Sequence, residues 1–561
     1  CIRDSNCTTS GTNCSYGDAN GNNDLSDYND STGASLVTGP YMNRNVGSYG
    51  LTASDNSHYE VVDRMKSAET ALGNRVEWKY LPLNTGKGAS DYYTVDQSHL
   101  GATDGYLHFS ANISVVSELK RSDGIGGLNT YNYKYRDATL NSQGRGFQGF
   151  EQIVVDDVAN DLRSVSDYHV QFPLAGDLAE VRRCLLDASD LDCSGSPINT
   201  SVYEWDLWRD GVQKITVVDD STNYQSHVLE NTATENRYWV SPHKESSNQY
   251  STISSQTAGV GALQPITMPV TPTLLYTNST ESTFNANGCS TNVINTYDEP
   301  INVNVNKTTT ASVYVAADTA NWWLCRTDYT TTTTEAVTGR GSDYAAIDVL
   351  SDFQKQVKAT YTWNTVHRKP ATITTDAMIG GGKSTCTATT YDSHGLPLSA
   401  TVEGTHYDST PSCDMSDRIT TWTYTTDGYF VATETNDLGH VTTSVTDPKF
   451  GQATSETDPN GQVAMSTFDH FGRQASVKAP GEPTVRTAYF WCSGFNGGTE
   501  TCPSGENAQF LTKMEAVGSP DSITYFDQFG REVYTKLRNF ADTGWNVSRR
   551  RHDDRGNVLW E

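Results

Sequence analysis

Four oxygen-bearing side chains near the start of the chain have the spacing of a cation-binding loop. Asp18, Asn20 and Asn22 stand at positions 1, 3 and 5 of a short segment, and Asp24 follows two residues later. Ca²⁺ is a hard cation that takes carboxylate and amide oxygens from a tight loop. The spacing therefore predicts a Ca²⁺ site, and the alternative interpretation is a surface loop rich in Asn and Asp that binds no metal.

Glycine-rich segments indicate a second kind of chemistry, the binding of phosphate. The run Gly-Gly-Gly-Lys-Ser at 380–384 matches half of a phosphate-binding loop, but Ala377 stands where the pattern requires glycine. The residues after it, 385–389, have the composition of a strand rather than of the required helix. Another glycine-rich segment, 144–150, also lacks a following helix. We interpret both as turns, with the two phenylalanines of the second anchored in the core.

No spacing of residues marks a catalytic centre. The sequence contains neither the GxSxG turn of serine hydrolases nor the HExxH zinc motif. His440, His470 and His552 fall in predicted turns, where a solvated polar side chain is the simpler interpretation. The sequence does not decide whether two carboxylates are paired for glycoside hydrolysis, because the distance between them depends on the three-dimensional structure. We therefore expect no enzymatic activity, and a β-helical carbohydrate-active enzyme ranks last among the alternatives.

Composition indicates a β-rich protein without affinity for polyanions. Tyrosines (30) far outnumber methionines (7), and charged residues make up only 19 % of the 561 residues, which favours strands and turns. A net charge of −27 argues against a nucleic-acid or anionic-membrane surface, because such a surface is basic. The arginines at 549–551 are a local exception that we interpret as a solvated strand edge. No apolar run approaches the length of a transmembrane helix.

The cysteines indicate an oxidising compartment. None of the eleven forms a CxxC pair, and no Cys/His spacing matches a zinc site. Disulfides that close short loops fit the spacing better. Proximity predicts five pairs and leaves Cys1 over: Cys7/Cys14, Cys184/Cys193, Cys289/Cys325, Cys386/Cys413 and Cys492/Cys502.

A short repeat organises the elements that must position any site. Between residues 436 and 475 an Asp repeatedly begins a turn, a Gly follows, and an alternating strand departs. The turn glycines are spaced by 12, 10 and 11 residues, counting from Gly439 to Gly472. Asp bonds its own backbone and Gly supplies a positive φ, so each unit predicts one strand–turn–strand element. A fixed short period of this kind predicts repetitive β-structure.

The repeat resembles that of a known family. Seven copies lie within about 170 residues, three of them outside the block just described, at 391–396, 526–533 and 552–558. Their aromatic-Asp-x-x-Gly-Arg form resembles the YD repeat of RHS proteins. That family includes bacterial polymorphic toxins, insecticidal toxin-complex B/C components and animal teneurins.

Two further segments extend the resemblance. Asp-Gly-Ile-Gly-Gly at 123–127, a Tyr-x-Tyr strand at 131–135 and Arg-Gly-Phe-Gln-Gly-Phe at 145–150 look like the junction of propeller and shell in SpvB-like and toxin-complex B proteins. The candidate calcium loop resembles the Asp-x-Asn-Gly-Asp-Gly loop of FG-GAP/VCBS propeller repeats. It departs from that pattern because Asn23 replaces the turn glycine and Asp24 falls two residues early.

The resemblance implies an all-β fold, a spiralling RHS/YD-repeat sheet that forms part of a shell and follows a propeller fragment. We expect four segments: 1–57 with the propeller-like loop, 58–180 with a linker and the first shell strands, 181–385 with a β-rich region of unassigned type, and 386–561 with the repeats. Residues 61–72 have the composition of a short helix, but 71–80 read as a degenerate repeat. The threonine run at 330–334 predicts a loop or a sheet edge.

The resemblance also implies a function. In RHS toxins the sheet winds into a hollow shell that encloses a toxic C-terminal domain until delivery. We therefore expect a secreted shell segment whose cargo lies outside this chain, with a delivery pore or a cell surface as a further partner. A repeat sheet that stops at Glu561 would leave an open edge, so we expect a longer parent protein.

The alternative function is that of an extracellular adhesin. Tryptophans on exposed β-faces could hold glycans or a surface protein, and the candidates are Trp205, Trp208, Trp322 and Trp323. Core packing is the simpler interpretation of each one.

Overall fold

The computed structural model describes an all-β chain. It describes residues 64–70, 72–83, 92–95, 105–109, 113–187, 190–218, 238–251, 272–300, 304–337, 353–379, 384–404, 418–494, 497–539, 541 and 543–561. No α-helix occurs in these ranges.

The described residues form 33 strands. The first eleven are β1 (Ser67–Glu69), β2 (Arg75–Pro82), β3 (Tyr93–Thr94), β4 (Tyr106–His108), β5 (Ser114–Ser122), β6 (Leu128–Asn141), β7 (Gly146–Asp157), β8 (Leu162–Tyr168), β9 (Leu178–Leu185), β10 (Asn199–Arg209) and β11 (Val212–Val217). The next nine are β12 (Tyr238–Tyr250), β13 (Leu274–Phe284), β14 (Ser290–Glu299), β15 (Asn304–Tyr314), β16 (Thr327–Val337), β17 (Phe353–Asn364), β18 (Lys369–Ile379), β19 (Thr385–Tyr391) and β20 (Pro397–Gly404). The last are β21 (Ile419–Tyr424), β22 (Val431–Thr435), β23 (Val441–Asp447), β24 (Gln452–Thr457), β25 (Val463–Phe468), β26 (Gln474–Lys478), β27 (Val485–Trp491), β28 (Phe510–Glu515), β29 (Ser522–Phe526), β30 (Glu532–Arg538), β31 (Trp545–Arg549), β32 (Arg551–His552) and β33 (Val558–Trp560).

One sheet of 31 strands contains all of these except the separate hairpin of β32 and β33. From β5 to β31 the sheet is a long antiparallel meander in which each strand pairs with the next. The exceptions are β3, which is parallel to β6, and β11, which lies beside β10 while β10 continues to β12. The pairing does not break within 181–385, so this region continues the same sheet.

Threonine-rich strands supply much of the sheet. Residues 330–334 lie inside β16 and pair with β15 on one side and β17 on the other, so the prediction of a loop or edge there was wrong. The β-branched side chain suits an extended backbone, and two hydroxyls can bond across strands, as Thr310 and Thr332 do at 3.2 Å. Further hydroxyl pairs are Thr283/Thr291, Thr362/Thr372, Thr390/Ser399, Thr423/Thr433 and Thr467/Ser476.

The repeat turns share one hydrogen-bond pattern. In the turn at 469–473, Asp469 Oδ1 accepts the N–H groups of Phe471 and Arg473, each at 2.9 Å, and Gly472 has a φ of +77°. The carboxylate satisfies N–H groups that the reversal of the chain leaves without backbone partners. The same pattern recurs at 123–127, 285–289, 392–396, 436–440, 458–462, 527–531 and 553–557.

Three of these turns correct or extend the sequence analysis. At 436–440 the acceptor is Asn436, not the Asp that follows it. The turn at 285–289 is a copy that sequence reasoning missed, because Asn285 stands in the place of Asp. At 70–74 the Thr70 hydroxyl accepts the Asn74 N–H at 3.2 Å and β2 follows, which confirms the degenerate repeat. The described part of 61–72 contains strand β1 and no helix.

An aromatic residue before the turn links neighbouring hairpins. Tyr391 donates its hydroxyl to the Pro370 carbonyl oxygen at 2.6 Å, and Tyr424 donates to Pro397 at 2.7 Å. Each acceptor lies at the start of the preceding strand, so the tyrosine hydroxyl fastens one hairpin to the one before it. In the copy at 391–396 this bond explains the tyrosine before the turn aspartate, whereas Phe468 and Phe526 of other copies have no hydroxyl to donate.

Successive turns fall on alternate edges of the sheet, because successive strands run in opposite directions. Edge A carries the turns at 285–289, 392–396, 469–473 and 527–531, and edge B carries those at 123–127, 436–440 and 458–462. A Cβ on Gly472 of edge A would lie 2.8 Å from Phe450 of the preceding turn on that edge. Gly439 and Gly461 of edge B have no such neighbour within 4 Å. The turn of Gly472 is therefore packed more tightly against its neighbour than these two turns of edge B, whereas Gly530 of edge A has no atom within 4 Å.

The apolar core is divided into small clusters at the two ends of the described sheet. Three clusters lie between β2 and β12, centred on Tyr93, Val165 and Leu207, and a fourth lies around Leu511 and Tyr525. From β13 to β26 the only fully buried apolar side chains in the described ranges are half-cystines. A second layer would bury one face of this stretch. The middle of the sheet is therefore a single layer with both faces half-exposed.

Three of the five predicted disulfides are present: Cys184–Cys193, Cys289–Cys325 and Cys492–Cys502. The other two predicted pairs include residues outside the described ranges, namely Cys7, Cys14 and Cys413. The prediction that both phenylalanines of 144–150 enter the core holds for Phe150, which packs against Tyr135 with ring centroids 4.7 Å apart. It is wrong for Phe147, which is 43 % exposed at the start of β7.

Candidate functional site at the seam of the ribbon

Edge B of the first strands lies against edge A of the last strands. Asn74 Nδ2 donates to the Gln528 carbonyl oxygen at 2.8 Å, and Asn129 Nδ2 donates to the Asp554 carbonyl oxygen at 3.1 Å. These partners are 454 and 425 residues apart. Opposite edges can meet at such separations only if the sheet winds as a spiral ribbon. The seam is this contact, formed by the turns at 70–74 and 123–127 against those at 527–531 and 553–557.

Glycine at one position lets the two sides of the seam approach closely. Gly124 has a φ of +87°, and a Cβ there would lie 2.1 Å from Arg531 Nη2 and 2.3 Å from Phe529 Cδ2. The Gln528 amide, oriented by its neighbours, donates to the Gly73 carbonyl oxygen at 3.3 Å and accepts the Gly124 N–H at 2.8 Å. One side chain of a late repeat thus bonds to two early turns.

A buried carboxylate fixes the late side of the seam. Asp527 is 1 % exposed; its Oδ1 accepts the N–H groups of Phe529 and Arg531, and its Oδ2 accepts Arg531 Nε at 2.7 Å. A buried charge with this many partners holds its neighbours in one geometry. Behind it lies the apolar cluster of Leu511, Tyr525, Val533 and Tyr534.

A histidine that we expected in solvent lies inside the seam. His552 is 8 % exposed, so the prediction of a solvated side chain is wrong for it, whereas His440 and His470 are exposed as predicted. Burial lowers the pKa of the His552 imidazole, and the neighbouring guanidinium groups of Arg531 and Arg550 lower it further. The turn at 553–557 docks against the early strands, and this tertiary contact covers the ring.

The seam also encloses a small pocket of about 60 Å³. Its lining comes from four separate parts of the chain, namely Gly124 and Ile125, residues 505–507, Asp527 with Val533, and residues 550–552. The early turn and three late elements meet there.

The residues of the predicted calcium loop, Asp18, Asn20, Asn22 and Asp24, lie outside the described residues, so the Ca²⁺ site stays a prediction. Residues 380–383, which we interpreted as a turn, also lie outside them. In the part of the chain that the structure describes, no group of three His, Cys, Asp or Glu side chains could hold a metal ion. In that same part, no helix has the length and apolar character needed to cross a membrane.

Three of the four candidate tryptophans are packed. Trp208 is 6 % exposed, the Trp205 indole N–H donates to the Leu178 carbonyl oxygen at 2.8 Å, and Trp323 contacts Trp363 with ring centroids 5.7 Å apart. Trp322 is 77 % exposed, so the core interpretation is wrong for it. It occupies a turn with a φ of +56°.

Sequence reasoning found the turns at 123–127 and 527–531 but missed that they meet. One signal was present in the first of them. The shared turn needs only one glycine, at the position of Gly126, and the sequence supplies extra glycines at 124 and 127. A glycine beyond the one that the shared turn needs can mark either a positive φ or a close approach of other atoms, and Gly124 shows both.

Comparison with solved structures assigns the fold to the toxin-complex shell class. The crystal structure of TcdB2-TccC3 matches 87 % of this chain and 31 % of its own chain, with a TM-score of 0.53 and 12 % identity. The Photorhabdus luminescens Tc holotoxin pore matches 88 % of this chain and 32 % of its own, with a TM-score of 0.55 and 11 % identity. At this identity the likeness shows the fold alone, and the chain spans about a third of these chains. No family model and no curated protein matches the sequence.

Proposed function

We propose that this chain is a wall segment of a large secreted RHS-type protein, whose shell encloses a toxic C-terminal domain that lies outside this chain. The observation that carries the proposal is the seam. A spiral ribbon whose edges are sealed by direct contacts separates an inside from an outside, which an open sheet cannot do. The structural likeness to toxin-complex chains supports the same function.

The remaining features fit a passive wall. The antiparallel ladder, the tyrosine links and the hydroxyl pairs give a single layer mechanical continuity without a thick core. The disulfides fit an oxidising compartment, and hence secretion. We expect the wall itself to catalyse no reaction, and a denaturant-sensitive hydrolytic activity that copurifies with the fragment would contradict this expectation.

Protease protection tests the enclosure. The full-length gene product would be treated with a nonspecific protease in native buffer and after unfolding in guanidinium chloride. We expect the segment that follows the repeats to survive in native buffer and to be degraded after unfolding. A gene product without such a segment, or with one that is cleaved equally fast in both conditions, would overturn the proposal.

The exposed indole of Trp322 favours a second candidate function, that of an adhesin. An aromatic ring on a surface turn can stack on a sugar, and its exposure of 77 % leaves it accessible. A glycan array probed with the wild-type chain and with Trp322→Ala tests this function. Val366→Ala is the matched control, since Val366 is 80 % exposed on another turn of edge A. If the wild-type chain binds no glycan, or if both substitutions change glycan binding equally, the adhesin function is excluded.

A further inference from the structure

The seam pocket gathers hydrogen-bond donors that have no acceptor. His552 lines it and is 8 % exposed, and its Nδ1 has no partner among the described residues. Arg531 Nη2 is likewise buried without a partner, and it lies against Gly124, another lining residue. An imidazole nitrogen can carry a proton, and a guanidinium group only donates. A buried donor without an acceptor costs roughly 1–3 kcal/mol, so an acceptor brought into the pocket would recover that free energy.

The carboxylates at the pocket are already paired. Asp527 accepts from Arg531 Nε at 2.7 Å, and Glu506 lies 3.7 Å from Arg549. Two further cationic groups line the pocket. Of these, Arg550 pairs with the exposed Glu561 and lies near Glu532, while Arg551 makes no ion pair in the described ranges. Asp553 also lies near His552, so the unpaired cation of the lining is Arg551, in a protein whose net charge is −27.

We propose that the seam pocket binds a small tetrahedral oxyanion of the phosphate or sulfate type, held by His552, Arg531 and Arg551. The volume agrees with this class of ligand: about 60 Å³ holds roughly four oxygen-sized groups, since one water needs about 10–15 Å³ on the same measure. Arginine is well suited to such oxyanions, because its guanidinium group offers several N–H donors in a fixed plane.

The bound anion would join the two sides of the seam. The lining of the pocket comes from the early turn at 124–125 and from the late residues 550–552, which are more than 400 residues apart in the sequence. A ligand that bonds both sides stabilises the closed seam in proportion to its occupancy, by mass action. The oxyanion would then make the closure of the ribbon dependent on the medium.

Isothermal titration of the chain with potassium phosphate at pH 7.5 tests the site. We expect saturable binding that His552→Gln and Arg531→Gln each weaken about tenfold, the loss typical of one hydrogen bond to a charged group. The matched controls are His470→Gln and Arg473→Gln, in a turn of the same sequence type that is exposed and remote from the pocket. Both controls should bind phosphate as the wild type does.

Hydrogen exchange locates the bound anion. Phosphate or sulfate should slow exchange at 123–127 and 550–558, and sodium chloride of equal ionic strength should not. The proposal is overturned if the folded wild type shows no saturable binding, if His552→Gln binds as tightly as wild type, or if chloride protects the same residues. Should Arg531→Gln unfold the repeats, as judged by circular dichroism, His552→Gln decides the outcome, because it keeps an uncharged polar side chain of similar size.

Discussion

Two copies of one turn, Asp-His-Phe-Gly-Arg at 469–473 and Asp-Gln-Phe-Gly-Arg at 527–531, have the same local geometry in different surroundings. In both, the aspartate accepts two backbone N–H groups at 2.9 Å and the arginine Nε at 2.7 Å. In both, the guanidinium group lies 5.1 Å from the phenylalanine ring. Yet Phe471 is 82 % exposed and Phe529 is 45 % exposed.

The difference arises entirely from what lies opposite the turn. The early turn around Gly124 packs against 527–531, whereas 469–473 is contacted by neighbouring elements of its own part of the sheet, such as Phe450 and Gln452. The repeat unit is therefore complete as local structure, and its burial depends on its place along the spiral. Paired substitutions at matched positions of the two turns separate these contributions.

Removal of the turn aspartate should give the largest contrast. Asp527→Ala leaves Arg531 partly buried without its carboxylate, and we expect a loss of about 3 kcal/mol in the stability of the last repeats. Asp469→Ala removes the same bonds from a solvated turn and should cost much less. Hydrogen exchange of β29, β30 and the seam turns measures both. Equal losses would show that burial at the seam adds nothing to the turn.

The opposite side of the seam provides the second test. Gly124→Ala places a Cβ 2.1 Å from Arg531 Nη2 and should open the seam, with a loss of about 2 kcal/mol from overpacking. Gly126→Ala is the control, because its φ of +100° imposes similar backbone strain while no atom lies within 4 Å. Exchange rates at 527–531 should rise for the first variant well beyond the second. If the two variants behave alike, strain rather than contact explains the effect.

In a third pair of substitutions, the turn at 469–473 should lose more stability than the turn at 527–531, which is the reverse of the order expected for the aspartates. Gly472→Ala meets Phe450 at 2.8 Å, whereas Gly530→Ala meets no atom within 4 Å, and the two glycines have φ values of +77° and +76°. We expect the exposed turn to lose about 1 kcal/mol more than the seam turn, as measured by thermal unfolding of the two variants. A larger loss for Gly530→Ala would mean that the contact between Gly472 and Phe450 does not determine the cost of the substitution.

The smallest effect should be a dependence on pH. The pKa of His552 in the closed seam lies below its ordinary 6.5, so the open state binds more protons at acidic pH. Stability of the seam is complete above about pH 6.5 and falls as the pH drops through the lower pKa of the closed state. Arg531 and Arg550 oppose protonation of the ring, and Asp527 and Asp553 favour it. Hydrogen exchange at 550–558 should become faster as the pH is lowered from 7.5 to 5. We expect this pH dependence to be absent in His552→Gln and to be kept in His470→Gln.

Local bonding rules explain why much of the fold could be predicted. The turn depends on Asp at its first position and Gly at its fourth, which are close together in the sequence. The turns and the strands between them can therefore be predicted from the sequence. The threonine run at 330–334 was predicted wrongly because low-complexity sequence is also common in loops. In the structure it is a central strand, paired on both sides and with cross-strand hydroxyl contacts. The turn at Asn285 was missed because an amide oxygen, rather than a carboxylate oxygen, accepts the two backbone N–H groups there.

The candidate site could not be predicted in the same way. His552 stands before its turn aspartate, where other copies have the half-buried Tyr391 and Phe526, whereas the exposed His470 stands inside its turn. That position indicates partial burial but does not indicate the seam contact that covers the ring. Trp322 and Trp323 are adjacent, and only the turn geometry decides which of them is packed.

The sequence by itself determined an all-β chain of repeated turns, because each turn satisfies its own hydrogen bonds within five residues. The tertiary structure alone decided which turns meet, because the seam joins residues more than 400 positions apart through the pitch of the spiral. That pitch sums small twists over many strand pairs, and no single repeat encodes it.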